Sequence, residues 1–131
     1  MINIEQILLL RQLEFFNQVS DEALADLMSI AQEKTFKVRE VIIDNEMPYA
    51  PLHIMLNGSI QVINAEGQEQ IQAAPQIIGL RQVFNPKPTS IKVIAHTKAT
   101  ALLIDKDALY RAFVMHPSLA FVFLQELSKK G

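Results

Sequence analysis

The chain of 131 residues is half hydrophobic and one fifth charged, with a net charge of −2 and no cysteine. These values are typical of one globular domain and exclude a disordered chain. The absence of cysteine excludes disulfides, thiolate metal sites and cysteine nucleophiles, and it fits the reducing cytoplasm in which we expect the protein to act. The chain has no strong positive charge that would attract nucleic acid. No apolar run approaches the roughly 18–20 residues that span a bilayer.

Two helices are predicted at the N-terminus. Apolar residues recur near helical spacing over residues 4–16. A second helix is predicted after Ser20, a favourable N-cap residue, because Asp21 and Glu22 complement the positive end of the helix dipole. Its predicted apolar face contains Ala23, Leu24, Leu27, Met28, Ile30 and Ala31.

After Lys34 the apolar pattern changes from a helical period to alternation, which predicts half-buried strands. Asn57-Gly58 and Glu66-Gly67 are turn signals between these runs. Short strands with no helices between them favour an antiparallel sandwich or barrel over a parallel sheet. The alternating residues are Phe36, Val38, Val41, Ile43, Leu52, Ile54, Leu56, Ile60, Val62, Ile91, Val93 and Ala95.

The C-terminus returns to helix. Asp105 or Asp107 is predicted to cap one helix, and Pro117 is predicted to begin another. The second of these helices carries an apolar stripe of Leu119, Val122, Phe123 and Leu127. We expect this stripe to pack on the β-structure; the alternative is a docking face for a second copy or another domain. The order predicts one domain over 1–131, with helices in 1–34, strands in 35–104 and helices in 105–131.

The order of helices and strands, together with these cap and turn residues, resembles the cyclic nucleotide-binding domain family. This family is the module of catabolite activator proteins, cyclic-nucleotide-dependent kinases and gated channels. "FFNQVSDEALADLMSIAQEKTFKVREVII" is similar to its entry helices and first strand, and "LHIMLNGSIQVI" to its hairpin, with His53 in place of a tyrosine. "TKATALLIDKDALYRAFVMHPSLAFVFLQEL" is similar to its closing strand and following helix. The resemblance implies an eight-stranded antiparallel jelly roll (a double-stranded β-helix) with flanking helices, and a regulatory rather than enzymatic role.

The family's phosphate-binding cassette corresponds to "IIGLRQVFNPKPTSIKV", residues 77–93. Gly79 matches the family's glycine and Ser90 its small hydroxyl residue, and Pro88 matches its proline. Leu80 occupies the position of the glutamate that binds the ribose 2′-hydroxyl. Thr89 occupies the position of the arginine that binds the cyclic phosphate. Both charged contacts of the cassette are therefore missing.

Two further glycines of the family pattern are replaced by Arg39 and Glu46. Because such glycines permit turns with positive φ, we expect the shapes of these two loops to differ from the family's.

The missing contacts predict weak or lost binding of cAMP and cGMP. A hydrogen bond to a charged group contributes roughly 1.5–3 kcal/mol, so two lost contacts cost about 3–6 kcal/mol, or roughly two to four orders of magnitude in affinity. The altered pocket would comprise Gly79, Leu80, Arg81, Thr89 and Ser90.

The alternative is a working cyclic nucleotide sensor in which another cation, Arg81 or Lys92, holds the phosphate. Lys87 and His96 are the other nearby cations. We expect all four to be solvated, because Lys and Arg are mostly exposed.

The sequence gives little support for a metal site or a catalytic site. His53, His96 and His116 lack the spacing of a zinc site, and no nucleophile elbow or phosphate-binding P-loop occurs. A cupin-like metal barrel is disfavoured for the same reason. No catalytic or metal residue is predicted. No helix-turn-helix follows the last helix, so we expect a regulatory module that contacts protein partners, stands alone or belongs to a larger parent protein, and that forms a homodimer through the C-terminal helix.

Overall fold

The computed structural model describes residues 4–44, 46–47, 49–85 and 90–130. Within these ranges, four α-helices flank eight strands. The helices are α1 Ile4–Leu10, α2 Asp21–Ser29, α3 Lys106–Met115 and α4 Pro117–Lys130, with a single 3-10 turn at Glu14–Phe16. The strands are β1 Gln32–Phe36, β2 Val41–Ile43, β3 Leu52–Asn57, β4 Ser59–Ile63, β5 Glu69–Ala73, β6 Gln76–Ile78, β7 Lys92–Ala95 and β8 Ala99–Ile104.

The strands form two four-stranded sheets, in the orders β1-β8-β3-β6 and β2-β7-β4-β5. Every strand pairing is antiparallel. The prediction of a mainly β fold with eight antiparallel strands and flanking helices is therefore confirmed. The first strand begins at Gln32, inside the segment 1–34 that was predicted to be helical. The first four residues of β1 are polar and exposed, so no apolar alternation marks the strand before Phe36.

Two apolar cores lie on opposite faces of the first sheet. The inter-sheet core combines side chains of both sheets, such as Met55 and Val93, without any helix residue. The helix-side core combines α-helical residues with Leu52 and Ile54 of the same strand β3. Successive side chains of a strand point to opposite faces, so β3 serves both cores and positions the helices against the sheet.

The cap, proline and glycine residues of the sequence predicted these helix starts and turns correctly. The Ser20 hydroxyl accepts a hydrogen bond from the Ala23 amide at 3.1 Å, and the Asp105 carboxylate accepts one from Ala108 at 2.7 Å. Pro117 is the first residue of α4. Gly58 and Gly67 have φ of 85° and 80°, as the two predicted turns require.

The loop at Arg39 has a left-handed backbone conformation at a residue that is not glycine. Arg39 has φ of 75° although it carries a side chain. Its amide donates to the Ala95 carbonyl at 2.8 Å, and the Ala95 amide donates to the Glu40 carbonyl at 2.9 Å. These two bonds to β7 hold the turn in the left-handed region, and the expectation that its shape differs from the family's stays a prediction.

The apolar stripe of α4 packs inward. Leu119 and Phe123 are buried in the helix-side core, and Val122 and Leu127 pack against it. The outer face of α4 carries different apolar residues, Phe121 and Leu124, whose exposed fractions are 62% and 63%. Among the described residues, no helix is long and apolar enough to span a membrane.

Candidate functional site

Gly79 directly follows β6 and begins the turn of the candidate cassette. Its φ is 86°, in the left-handed region that favours glycine. A Cβ atom at this position would lie 3.0 Å from the Pro51 carbonyl oxygen and 3.4 Å from the Ile43 Cδ1 atom. Both the backbone conformation and the close approach of the loop before β3 therefore require glycine here.

One helical turn follows Gly79. The Val83 amide donates to the Gly79 carbonyl at 3.0 Å, the Phe84 amide to Arg81 at 3.1 Å and the Asn85 amide to Gln82 at 3.3 Å. These three bonds define the turn and hold Leu80 at its start.

Leu80 points into the helix-side core. Its side chain is 3% exposed and belongs to the same apolar cluster as Val83, Leu119 and Phe123. Ile78, two residues earlier, belongs instead to the inter-sheet core. The chain thus crosses at Gly79 from one core to the other, and Leu80 packs against the helices.

The other predicted site residues do not converge. Arg81 and Ser90 are exposed. Lys92 is exposed on β7, whereas its neighbour Val93 lies in the inter-sheet core, so the pleat directs Lys92 away from that core. Thr89, like Pro88 and Lys87, lies outside the described residues.

His53 is a buried polar residue of the inter-sheet region that sequence reasoning treated as ordinary. Its Nδ1–H donates to the Pro51 carbonyl at 2.8 Å, which fixes the tautomer. Its ring lies 6.0 Å from that of Phe36. Burial lowers the pKa of His53 from 6.5 to about 4; the hydrogen bond to Pro51 raises it, and the nearby charge of Lys34 lowers it further. Side chains alternate between the two faces of β3, and because Leu52 and Ile54 face the helix-side core, His53 faces the space between the sheets. This alternation is the sequence signal for the position of His53.

The remaining histidines have separate surroundings. His96 is exposed, and His116 pairs with Asp26. Within the described ranges, no group of three or more histidine, aspartate or glutamate side chains could hold a metal ion.

Comparisons with known proteins agree with this fold. The family model for the cyclic nucleotide-binding domain matches residues 33–116. No match was found among curated protein sequences.

Three solved structures share the fold. A cyclic nucleotide-binding domain from Methylobacillus flagellatus is 21% identical with a TM-score of 0.79, over 97% of this chain and 76% of that one. The N-terminal domain of a transcriptional regulator from Streptomyces coelicolor A3(2) is 20% identical with a TM-score of 0.78, over 93% and 91%. The catabolite activator protein of Thermus thermophilus is 14% identical with a TM-score of 0.79, over 88% of this chain and 57% of that one.

Proposed function

The chain belongs to the cyclic nucleotide-binding domain family, a family of regulatory rather than enzymatic domains, and we propose that it keeps the fold while binding cAMP and cGMP weakly or not at all. The observation that carries this proposal is the burial of Leu80 in the helix-side core. An apolar side chain accepts no hydrogen bond from a ribose hydroxyl, and one that faces the helices is not directed into the space between the sheets.

The filled inter-sheet core supports the same proposal. Ile43, Ile78 and Val93 come from strands on either side of the cassette turn, and all three are buried in one apolar cluster. A nucleotide bound between the sheets at this end would have to displace them, and displacing well-packed core side chains costs several kcal/mol.

The proposed altered site comprises Gly79, Leu80, Arg81, Thr89 and Ser90. Its alternative, a sensor with shifted phosphate contacts, relies on Arg81 or Lys92. The outward direction of Lys92 disfavours that residue. Arg81 is exposed, and a phosphate that it held there would be more solvated than one between the sheets.

Calorimetric titration of the full chain with cAMP and with cGMP tests the proposal. We expect no saturable heat at nucleotide concentrations relevant to signalling. Binding at low micromolar or tighter dissociation constants would contradict it. If binding is seen, Arg81→Ala and Lys92→Ala decide whether shifted contacts hold the phosphate, since loss of affinity in either variant supports the alternative.

We further propose that the domain acts through protein contacts, including a homodimer formed by α4. The outer face of α4 supports this because two large apolar side chains on it, Phe121 and Leu124, are more than half exposed. The exposed residues of this face are Pro117, Ser118, Phe121, Leu124, Gln125, Ser128 and Lys129. An isologous dimer would bury Phe121 and Leu124 of both copies.

Sedimentation equilibrium tests the dimer. We expect a concentration-dependent dimer that Phe121→Asp converts to a monomer, because the substitution puts a like charge on both sides of the contact. Asp107→Asn is the control on the outer face of α3. A monomer at all concentrations would contradict the dimer without bearing on nucleotide binding.

The proposal extends to the type of β-fold, the extent of the domain and the place where it works. The strand orders β1-β8-β3-β6 and β2-β7-β4-β5 support a jelly roll. The two cores, which share β3, support a single domain over residues 1–131. We propose that this domain works in the cytoplasm, either alone or as part of a larger parent protein.

A further inference from the structure

A groove separates the 3-10 turn from the last turns of α4. Its volume is about 470 Å³, within the range of ligand sites, and Phe15 and Val122 supply its apolar surface. A second cavity of about 260 Å³ adjoins it and reaches Ile77 and Leu80. The two cavities share four lining residues, Glu14, Phe15, Glu126 and Lys129, so they adjoin each other, and Leu80 of the cassette turn lines the smaller one.

The wall formed by the 3-10 turn is held in place before any partner binds. The Arg11 guanidinium donates to the Phe16 carbonyl at 2.8 Å and to the Val19 carbonyl at 2.6 Å, and it also pairs with Asp21. The Phe15 ring packs edge-on against Phe16 and Phe123, with ring centroids 4.8 Å apart in both pairs. Because these contacts already fix the 3-10 turn, it loses little conformational entropy when a partner binds.

The groove combines an aromatic surface with carboxylates on opposite walls. Glu14 lies on the 3-10 turn and Glu126 on α4, and neither forms an ion pair with another described residue. Lys129 adds one positive charge, so the net charge of the lining is −1. The last turns of α4 add the negative end of its helix dipole.

Uncharged amides complete the lining. Asn17, Gln18 and Gln125 line the larger cavity, and Gln76 lines the smaller one. Side-chain amides donate and accept hydrogen bonds, which suits the N–H and carbonyl groups of a peptide backbone. The apolar surface of Phe15 and Val122 suits one bulky side chain, and the carboxylates suit a cation beside it.

We propose that this groove binds a segment of a partner protein in which an arginine or lysine adjoins a bulky apolar residue. Arginine fits best, because its planar guanidinium bonds carboxylates in a fork and stacks on aromatic faces such as Phe15. The site lies on the helix side of the first sheet and is separate from the space between the sheets. Leu80 of the altered cassette lines its smaller cavity, but the test below uses no nucleotide and is therefore read separately from nucleotide binding.

Titration of the full ¹⁵N-labelled chain with two capped dipeptides tests this site by nuclear magnetic resonance. The probes are N-acetyl-leucyl-arginine amide and its matched control, N-acetyl-leucyl-glutamate amide. We expect the arginine probe to shift the amide signals of Phe15, Gln18 and Gln125 with saturation, and the glutamate probe to leave them unchanged. Absence of saturable shifts with the arginine probe, or equal shifts with both probes, would overturn the proposal.

Charge-removing variants assign the binding to the groove. We expect Glu14→Gln and Glu126→Gln each to weaken binding of the arginine probe about tenfold or more, since a charged hydrogen bond contributes roughly 1.5–3 kcal/mol. Glu66→Gln removes the same charge from the exposed turn between β4 and β5, outside the groove, and should leave the affinity unchanged. Equal weakening by Glu66→Gln would show that net charge alone attracts the probe.

Discussion

The imidazole Nε2 atom of His116 lies 2.7 Å from the carboxylate Oδ2 atom of Asp26. His116 is the single residue between α3, which ends at Met115, and α4, which begins at Pro117. The pair therefore fastens α2 to the junction of the two C-terminal helices. The His116 side chain is 14% exposed and that of Asp26 is 45% exposed, so the contact is partly shielded from water.

We predict that this pair stabilises the fold by about 1 kcal/mol, the size expected of a charge-assisted hydrogen bond at a partly buried position. A double-mutant cycle with Asp26→Asn and His116→Gln, read from urea unfolding, measures that coupling. The Lys34–Glu40 pair, 3.7 Å apart and more exposed, gives a matched control whose coupling should stay below about 0.5 kcal/mol. A coupling for Asp26 and His116 that is no larger than the control contradicts the prediction.

His53 should make the fold sensitive to acid. Its pKa falls from 6.5 to about 4 on folding, chiefly because burial disfavours the charged imidazole. Between those two pH values the unfolded chain binds more protons than the folded one. The contribution of His53 to stability is therefore fully present above pH 6.5 and declines as the pH falls. The full loss by the lower pKa corresponds to about 3 kcal/mol.

Urea unfolding measured across this pH range checks the effect. His53→Gln removes the titrating ring while leaving an amide that can donate to the Pro51 carbonyl, and we expect it to flatten the pH dependence. His96→Gln removes an exposed histidine and should keep the dependence of the parent chain. An unchanged slope in His53→Gln would show that other groups cause the acid sensitivity.

Gly58 and Gly67 share a positive φ but differ in their surroundings. A Cβ atom at Gly58 would lie 2.5 Å from the Lys98 carbonyl oxygen and 2.8 Å from the Ala99 Cα atom, whereas nothing lies within 4 Å at Gly67. Alanine at either position incurs the left-handed backbone cost of roughly 1–2 kcal/mol. Alanine at Gly58 also forces β8 away from β3, which adds about 1–3 kcal/mol.

We therefore predict that Gly58→Ala lowers the free energy of unfolding by about 2 kcal/mol more than Gly67→Ala. Denaturant unfolding of the two variants gives the difference directly. Equal losses would mean that the turn between β3 and β4 opens without cost, contrary to the close approach in the structure.

Features set by short-range interactions were predictable from the sequence. Ser20 and Asp105 cap helices with their own side chains, and Gly58 and Gly67 mark turns through their own backbone freedom. The change of apolar period marked the strands for the same reason. Each of these signals depends only on neighbours a few residues away.

Features set by distant contacts were not predictable. The sequence predicted that the stripe containing Phe123 packs inward, but no local pattern in α4 reveals that its aromatic partners are Phe15 and Phe113. Arg39 keeps a positive φ because of hydrogen bonds to β7, far away in sequence. The direction of Leu80 follows from the turn at Gly79, which no spacing of apolar residues reveals.

Leu80 gives the most direct test of the proposed loss of nucleotide binding. If this position faced a nucleotide pocket, Leu80→Glu would restore the family's acid and strengthen binding of cAMP. In the structure the side chain lies in the helix-side core, so the carboxylate would be buried without a partner. Loss of a buried leucine's packing alone costs about 2–5 kcal/mol, and desolvation of the acid adds to it.

We therefore expect Leu80→Glu to lower the free energy of unfolding by at least about 3 kcal/mol and to confer no binding of cAMP, whereas Leu80→Met, which preserves volume, should cost less than about 1.5 kcal/mol. Thermal unfolding and calorimetry of the two variants provide both readouts. A Leu80→Glu variant that folds as stably as the parent and binds cAMP would place the side chain in the pocket. Such a result would also show that a single substitution separates this chain from a nucleotide sensor.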